Sequence, residues 1–438
     1  MSVELGFSDF FYPLSILRLK RFMDESQWFD KETHARYQLH RLNRILAHAR
    51  EQSRFYRERY PHRIADLSEL SALPSMSKET LRRHGEAMLT ADHKRFNPVS
   101  CRTSGTTGEP VRFYLDKTAN VLEFCYYWRY WGWAGYRLGA PFADLGLHHF
   151  LDRDVDALSH FNPITRRLSL NAARLSRKNA PAYVRAIRRH DVRFIKGPPS
   201  GLAMLATLLR RTGAEPLTIS AVFTTGERLH SHQRVKIAQI FSCPVFDSYG
   251  HMERTIGVCQ CPKGRYHINP EYGILEVEKV EKLCTGTRVI GRVIGTSLHN
   301  FAMPLIRYET GDLIELDADE PPCACGRPMP VVKRILGREQ DLLVTPDERY
   351  IANAAIVFNA VHGVDWFQIV QHARDRIEVR IARNEGFTMR ERARVKESLC
   401  RLMGPVAIDI VEVSSPSPPV DPGQKYRSVV SHVESLKR

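Results

Sequence analysis

The stretch Thr103-Ser104-Gly105-Thr106-Thr107-Gly108-Glu109-Pro110 is almost entirely Gly, Ser and Thr. Side chains this small build no apolar core, but they leave hydroxyls and backbone N–H groups open. A loop of that kind can wrap a cluster of anionic oxygens, as other Gly-rich loops cradle phosphates. It is not a Walker A loop, because no Gly-x-x-x-x-Gly-Lys-Ser/Thr pattern occurs. Alone, it also fits a polar surface loop. Two cysteine-rich knots offer a second chemistry. Cys261 and His267 in the first, with Cys323 and Cys325 in the second, give a Cys₃His set suited to tetrahedral Zn²⁺, closed and therefore structural. Cys259 is an alternative fourth ligand, and reduced thiols packed side by side are the competing reading. Neither knot has the nucleophile–base–orienter logic of a catalytic cysteine.

Such groups need a scaffold, and the pattern from 180 to 250 supplies one. A helix over 181–190 precedes a strand over 192–196 and the turn Gly197-Pro198-Pro199-Ser200. A helix over 201–211 leads to strand Ile219–Phe223 and the turn Thr224-Thr225-Gly226-Glu227. A helix over 231–240 leads to strand Val245–Asp247 and the turn Ser248-Tyr249-Gly250. Helices alternating with short strands imply a parallel α/β sheet, whose ligands lie beyond the carboxyl ends of the strands. The Gly-containing turns sit at those ends and should share one site. Upstream, residues 20–60 have helical periodicity, with Leu39, Leu42, Ile45 and Leu46 on one face. Val111-Arg112-Phe113-Tyr114 reads as a strand. The aromatic maximum, Phe124 to Trp133, reads as a helix with Phe124, Trp128 and Trp131 on its core side, or as the wall of an aromatic-acid pocket. After residue 270 the texture changes to hairpins (Ile274–Val280, Arg288–Ser297). Strands over 366–371 and 375–383, a helix near 387–403 and strand Val406–Val413 then form a compact α+β unit. Ser414 to Pro419 is a stiff linker to a basic tail.

At 438 residues, with 43% hydrophobic and 26% charged residues, the chain should hold two or more soluble domains. No uninterrupted apolar run is long enough to span a membrane. The N-terminus carries Glu4 and Asp9 where a signal peptide would be basic, so a cytoplasmic location is expected. The segment Phe10 to Arg21 should dock on the protein's own body. Nine cysteines argue against a secreted disulfide framework. The net charge of +15 suggests anionic partners, and it is densest across the Arg-rich segment 166–193. No zinc finger or RNA-binding signature supports nucleic acid as that partner. Oligomeric state is not readable.

In order, Thr103–Pro110, Thr225-Gly226-Glu227, Tyr249-Gly250-His251-Met252-Glu253, Tyr308-Glu309-Thr310-Gly311-Asp312, Gly337-Arg338 and Gly423-Gln424-Lys425 resemble the motif set of the adenylate-forming enzymes. The likeness runs over most of the chain. It is greatest to the phenylacetate–coenzyme A ligase-like branch, which includes capsular-polysaccharide-biosynthesis proteins. The resemblance implies an α/β fold: a large N-terminal domain with mixed and parallel sheets (1–336, helical over 1–90), a hinge at 337–341, and a small mobile α+β C-terminal domain (342–438) carrying Lys425. It implies ATP and Mg²⁺ acting on a carboxylic acid, with aromatic acids among the candidates. Pyrophosphate leaves an acyl-adenylate, and the acyl group passes to coenzyme A or to an amine or hydroxyl acceptor. Some members of the branch hold zinc at positions like those of the cysteine knots.

By the same resemblance, Thr103, Ser104, Gly105, Thr106, Thr107 and Gly108 would hold the β- and γ-phosphates, and Glu253 would be the Mg²⁺ carboxylate. Tyr249 would stack on adenine, with Thr225, Gly226, Glu227, Ser248 and Gly250 around the same ring. Asp312 would accept from the ribose hydroxyls with Arg338 beside it, and Lys425 would neutralise the reacting carboxylate and α-phosphate. Singly, Asp312 also fits a turn former, Glu253 a helix cap and Lys425 an exposed tail lysine. Three departures stand out. No lysine follows Pro110, His251-Met252 replaces small or hydroxylic residues, and Glu309 stands where relatives often carry arginine.

Overall fold

The computed structural model describes residues 13–102, 111–146, 150, 156–213, 216–351, 354–414 and 426–433. Helices α1 (Pro13–Ser26), α2 (Lys31–Gln52), α3 (Arg54–Arg57) and α4 (Lys78–Met88) lead in to the hairpin β1 (Val99–Arg102) and β2 (Arg112–Leu115) and to helix α5 (Lys117–Gly132). Side-chain caps fix several starts. Asp30, Ser77 and Asp116 accept from the backbone N–H groups of Thr33, Thr80 and Ala119. As expected, α2 buries Leu42, Ile45 and Leu46, while α1 lies along α5 with Met23 fully enclosed.

The helix α5 corrects one expectation. Its buried face runs through Leu122, Cys125, Tyr126, Arg129 and Tyr130; of the expected stripe Trp131 is buried, whereas Phe124 and Trp128 stay half-exposed. An arginine can face the core here because Glu271 and Asn269, both buried, bond its guanidinium.

The main sheet is assembled from β3 (Phe142–Leu145), β4 (Ser159–Asn162), β5 (Arg167–Leu170), β6 (Phe194–Gly197), β7 (Ala221–Thr224), β8 (Val245–Gly250), β9 (Gly257–Gln260), β10 (Tyr266–Ile268) and β14 (Val331–Val332). Strands β5, β3, β6, β7 and β8 are parallel neighbours in that order, and antiparallel strands flank them on both sides. Helices α6 (Ala180–Arg189), α7 (Pro199–Thr212) and α8 (Ser231–Phe241) fall where the alternating pattern puts them. One face of the sheet packs on these helices through Val184, Ile195, Leu205, Val222 and Ile237. The other packs on α1 and α5 through Phe194, Phe223 and Phe246. Ser248-Tyr249-Gly250, expected as a turn, instead continues β8 in antiparallel pairing with β9.

A second sheet, β11 (Gly273–Lys279), β12 (Arg288–Ser297), β13 (Tyr308–Asp317) and β15 (Arg334–Arg338), is antiparallel throughout. It pairs Asp312 opposite Arg338. The short ladder β16 (Leu343–Val344) and β17 (Tyr350–Ile351) follows. Strands β18 (Val364–Ala373), β19 (Arg376–Arg383), β20 (Ala407–Glu412) and β21 (Val429–Ser431) then form a third sheet, covered by α9 (Met389–Met403). Residues 343–429 enclose their own core around Phe358, Phe367, Ile369, Val379 and Leu399. No helix among the described residues is long and apolar enough to cross a membrane. The linker Ser415–Pro419 lies outside the described residues.

Candidate functional site

A cavity opens at the carboxyl ends of β7 and β8, where a parallel sheet presents its turns. It is lined by Gly226, Glu227, Ser248, Tyr249, Gly250, His251, Asp312 and Arg338, and from the C-terminal unit by Tyr426, Arg427 and Ser428. Seven residues picked from separate motifs thus meet around one hollow. Thr225 borders it: its N–H donates to Gly197 O (3.2 Å), and its hydroxyl lies 3.4 Å from that of Tyr127. Gly226 has φ +84°, a conformation that side chains other than glycine's rarely adopt, which accounts for Gly at this turn. The Glu227 carboxylate accepts from the Ser200 N–H (3.2 Å) across the same strand ends.

Asp312 is buried and doubly held. Tyr249 donates its hydroxyl to Oδ2 (2.8 Å), and Arg338 Nε lies 3.0 Å from Oδ1. The carboxylate holds the Arg338 guanidinium above its ordinary pKa, while burial drives the Tyr249 phenol well up, so it stays protonated. Anchoring the hydroxyl leaves the flat face of Tyr249 on the cavity wall. Glu253 is buried behind this wall and accepts from the Tyr308 hydroxyl (2.7 Å). Glu309 accepts from the Ser75 hydroxyl (2.7 Å), away from the cavity. Thr103, Ser104, Gly105, Thr106, Thr107, Gly108 and Lys425 lie outside the described residues.

Three groups that the sequence did not single out complete the surroundings. Lys78 sits in the field of Glu253; burial lowers its pKa and Glu253 opposes that. In the sequence it is simply the first residue of a capped helix. Arg228 is half-buried, donates to Leu336 O (2.6 Å), and is pushed down to about 10 by desolvation. Arg427 Nε bonds Asp341 (2.9 Å) across the segment that joins the two units. The units also meet where Arg211 bonds Asp365 (2.7 Å) and His230 Nε2 meets the Ser428 hydroxyl (2.8 Å).

The cysteine knots converge at the sheet's edge. One ligand atom from each of Cys261, His267, Cys323 and Cys325 lies within 4.8 Å of every other. Cys261 and Cys323 Sγ are 3.6 Å apart, and Cys325 Sγ is 3.3 Å from His267 Nε2. A zinc tetrahedron with ordinary bond lengths has edges of roughly 3.5–3.8 Å, so the donor set fits the ion. His267 Nδ1 faces Met329 O (3.1 Å), which leaves Nε2 as the free lone pair. Cys259 is not in the cluster; its sulfur accepts from Asn269 Nδ2 (3.5 Å). All nine cysteines are free.

The Arg-rich segment is partly consumed by structure. Arg167 is buried, Arg174 pairs with Asp156, and Arg193 pairs with Asp191 (2.9 Å).

No protein-family model matches the chain. It is similar to protein CapK of Staphylococcus aureus, 22% identical over 290 residues, covering 66% of this chain and 63% of CapK. The chain therefore spans less than two thirds of that relative. It is also similar to phenylacetate–coenzyme A ligase of Pseudomonas putida, 26% identical over 331 residues, covering 70% of this chain and 71% of the relative. Among solved structures it matches 2-hydroxyisobutyryl-CoA ligase in the postadenylation state, with TM-score 0.72 at 18% identity over 92% of this chain and 90% of that one. The same ligase in the thioesterification state gives 0.58 over the same share of this chain. The architecture is that of the adenylate-forming ligases. In sequence the chain is similar to CapK and to phenylacetate–coenzyme A ligases, at 22%, 26% and 25% identity.

Proposed function

We propose that this protein activates a carboxylic acid with ATP, releases pyrophosphate, and passes the acyl group from the adenylate to coenzyme A. The observation that carries this reading is the convergence of Gly226, Tyr249, Asp312 and Arg338 on one cavity beside Glu253. Adenine stacks on Tyr249, and the ribose hydroxyls donate to Asp312. The acid's carboxylate oxygen attacks the α-phosphorus while the pyrophosphate oxygen departs. Both partners are anions, so charge neutralisation and alignment supply most of the rate. Thr103–Gly108 hold the leaving phosphates, and Lys425 brings its ammonium to the reacting oxygens. Glu253, fixed by Tyr308, is the carboxylate suited to Mg²⁺, an ion that neutralises phosphate charge when bound. Cys261, His267, Cys323 and Cys325 hold a structural Zn²⁺.

The better fit to the relative's postadenylation state than to its thioesterification state supports a C-terminal unit docked for the first half-reaction. Transfer then requires that unit to turn about 337–341, breaking the Asp365 and Ser428 contacts.

The test is pyrophosphate release across a panel of carboxylic acids, each with and without coenzyme A. One or more acids should trigger ATP-dependent release, with thioester forming only when coenzyme A is present. Release with an amine or hydroxyl acceptor instead would move the second half-reaction to another product, and no release with any acid would remove the enzyme. Within this scheme Asp312→Asn should weaken ATP binding about 10- to 100-fold, because the ribose loses charge-assisted hydrogen bonds. Calorimetric titration reads this directly, and unchanged affinity would remove Asp312 from the ribose.

A further inference from the structure

The turn that follows β8 contains a polar atom the protein leaves unsatisfied. His251 lines the cavity, yet its Nδ1 is buried without a hydrogen-bond partner. A buried donor left bare costs enough that native structures almost always supply a partner. The opposite ring nitrogen is committed. His251 Nε2 accepts from the Thr255 N–H (3.4 Å) and lies 2.8 Å from the Thr255 hydroxyl. With Nε2 as acceptor, the proton of the neutral ring sits on Nδ1.

The surrounding backbone keeps this arrangement in place. A side chain at Gly295 would overlap the Thr255 hydroxyl, and one at Gly273 would overlap the Thr255 carbonyl oxygen. Two strands of the second sheet therefore give up their side chains where Thr255 presses against them. The ring also lies over Tyr308, with centroids 6.1 Å apart. Tyr308 holds Glu253, and Tyr249, two residues before His251, holds Asp312. His251 thus stands between Tyr308, which holds the buried Glu253, and the strand end whose Tyr249 holds Asp312 on the cavity wall, with a donor and no acceptor.

We propose that His251 Nδ1–H donates a hydrogen bond to a phosphate oxygen of the bound nucleotide. This rests on the adenylation reading and adds a binding group to it. A buried N–H donor left without a partner in a cavity-lining ring calls for an acceptor ligand, and a phosphoryl oxygen is the strongest acceptor that a nucleotide brings.

The two amide replacements separate the donor from its support. His251→Asn carries a nitrogen on the γ carbon, where Nδ1 stands. His251→Gln reaches one atom further, toward Thr255, and leaves the Nδ1 position bare. Binding of adenosine and of AMP to the full-length protein is measured by calorimetry with a chelator present, which keeps divalent ions on Glu253 out of the comparison. For His251→Gln, AMP should bind roughly 10- to 100-fold more weakly while adenosine binds as in the wild type. For His251→Asn, AMP should stay within about threefold of wild type. AMP binding unchanged in His251→Gln would overturn the proposal. So would equal losses for adenosine and AMP, or an Asn variant as weak as the Gln variant, since each would make the ring a structural support. Wild-type protein that binds neither ligand would remove the nucleotide site itself, and this inference with it.

Discussion

Lys425→Ala is expected to lower acid-dependent pyrophosphate release about 10²- to 10³-fold, the scale on which removing one aimed group at developing charge acts. The cations placed around the cavity show why a free ammonium matters. Arg338 is tied to Asp312 and Arg427 to Asp341, so neither is at liberty to follow the reacting oxygens. Arg228 is spent on a backbone carbonyl. Lys425 lies outside the described residues, but Tyr426, the next residue, lines the cavity. The loss should be confined to the first half-reaction. Thioester formation from a chemically prepared acyl-adenylate and coenzyme A should keep most of its rate, because no pentacoordinate phosphorus then needs neutralising. A variant that releases pyrophosphate at the normal rate would shift the duty to Lys78, a lysine in the field of Glu253.

The Cys₃His cluster carries the second large effect. Purified protein should contain about one zinc per chain, and Cys323→Ser should lose it. The three remaining ligands, Cys261, His267 and Cys325, would then face each other and the new serine unpaired at the edge of the main sheet. At about 1–3 kcal/mol for each buried group left unsatisfied, several kcal/mol of stability should disappear. For a protein of this size that is a fall in Tm on the order of 10 °C. Metal analysis and thermal unfolding, with and without a chelator, check both statements. A zinc-free protein of unchanged Tm would leave the cluster as packed thiols.

Much of this architecture was legible in the residues, because local rules governed it. The alternation from 180 to 250 placed α6, α7 and α8 closely, with Pro199 starting α7 and Gly213 ending it at φ +61°. What escaped depended on partners far along the chain. Periodicity turns a charged residue outward, so Arg129 on the inner face of α5 was hidden until Glu271 and Asn269 arrived to bond it. The continuation of β8 through Gly250 needs β9 alongside, and no window around Tyr249 contains that pairing. The site follows the same division. Motif order picked Gly226, Tyr249, Asp312 and Arg338, which meet at one cavity. His251 registered only as a departure from the family pattern, because its free nitrogen depends on how closely Gly295 lets Thr255 approach.

Tyr249 and Gly250 lie on a strand whose start is bound to β7 and whose end is bound to β9. That wall of the cavity therefore has little configurational freedom left to surrender when a flat heterocycle lands on it. The thermodynamic toll of docking shifts to the opposite side, where Tyr426, Arg427 and Ser428 belong to the smaller unit. Such an asymmetry suits the proposed two-step reaction, which would release one product and admit a new reactant without rebuilding its floor.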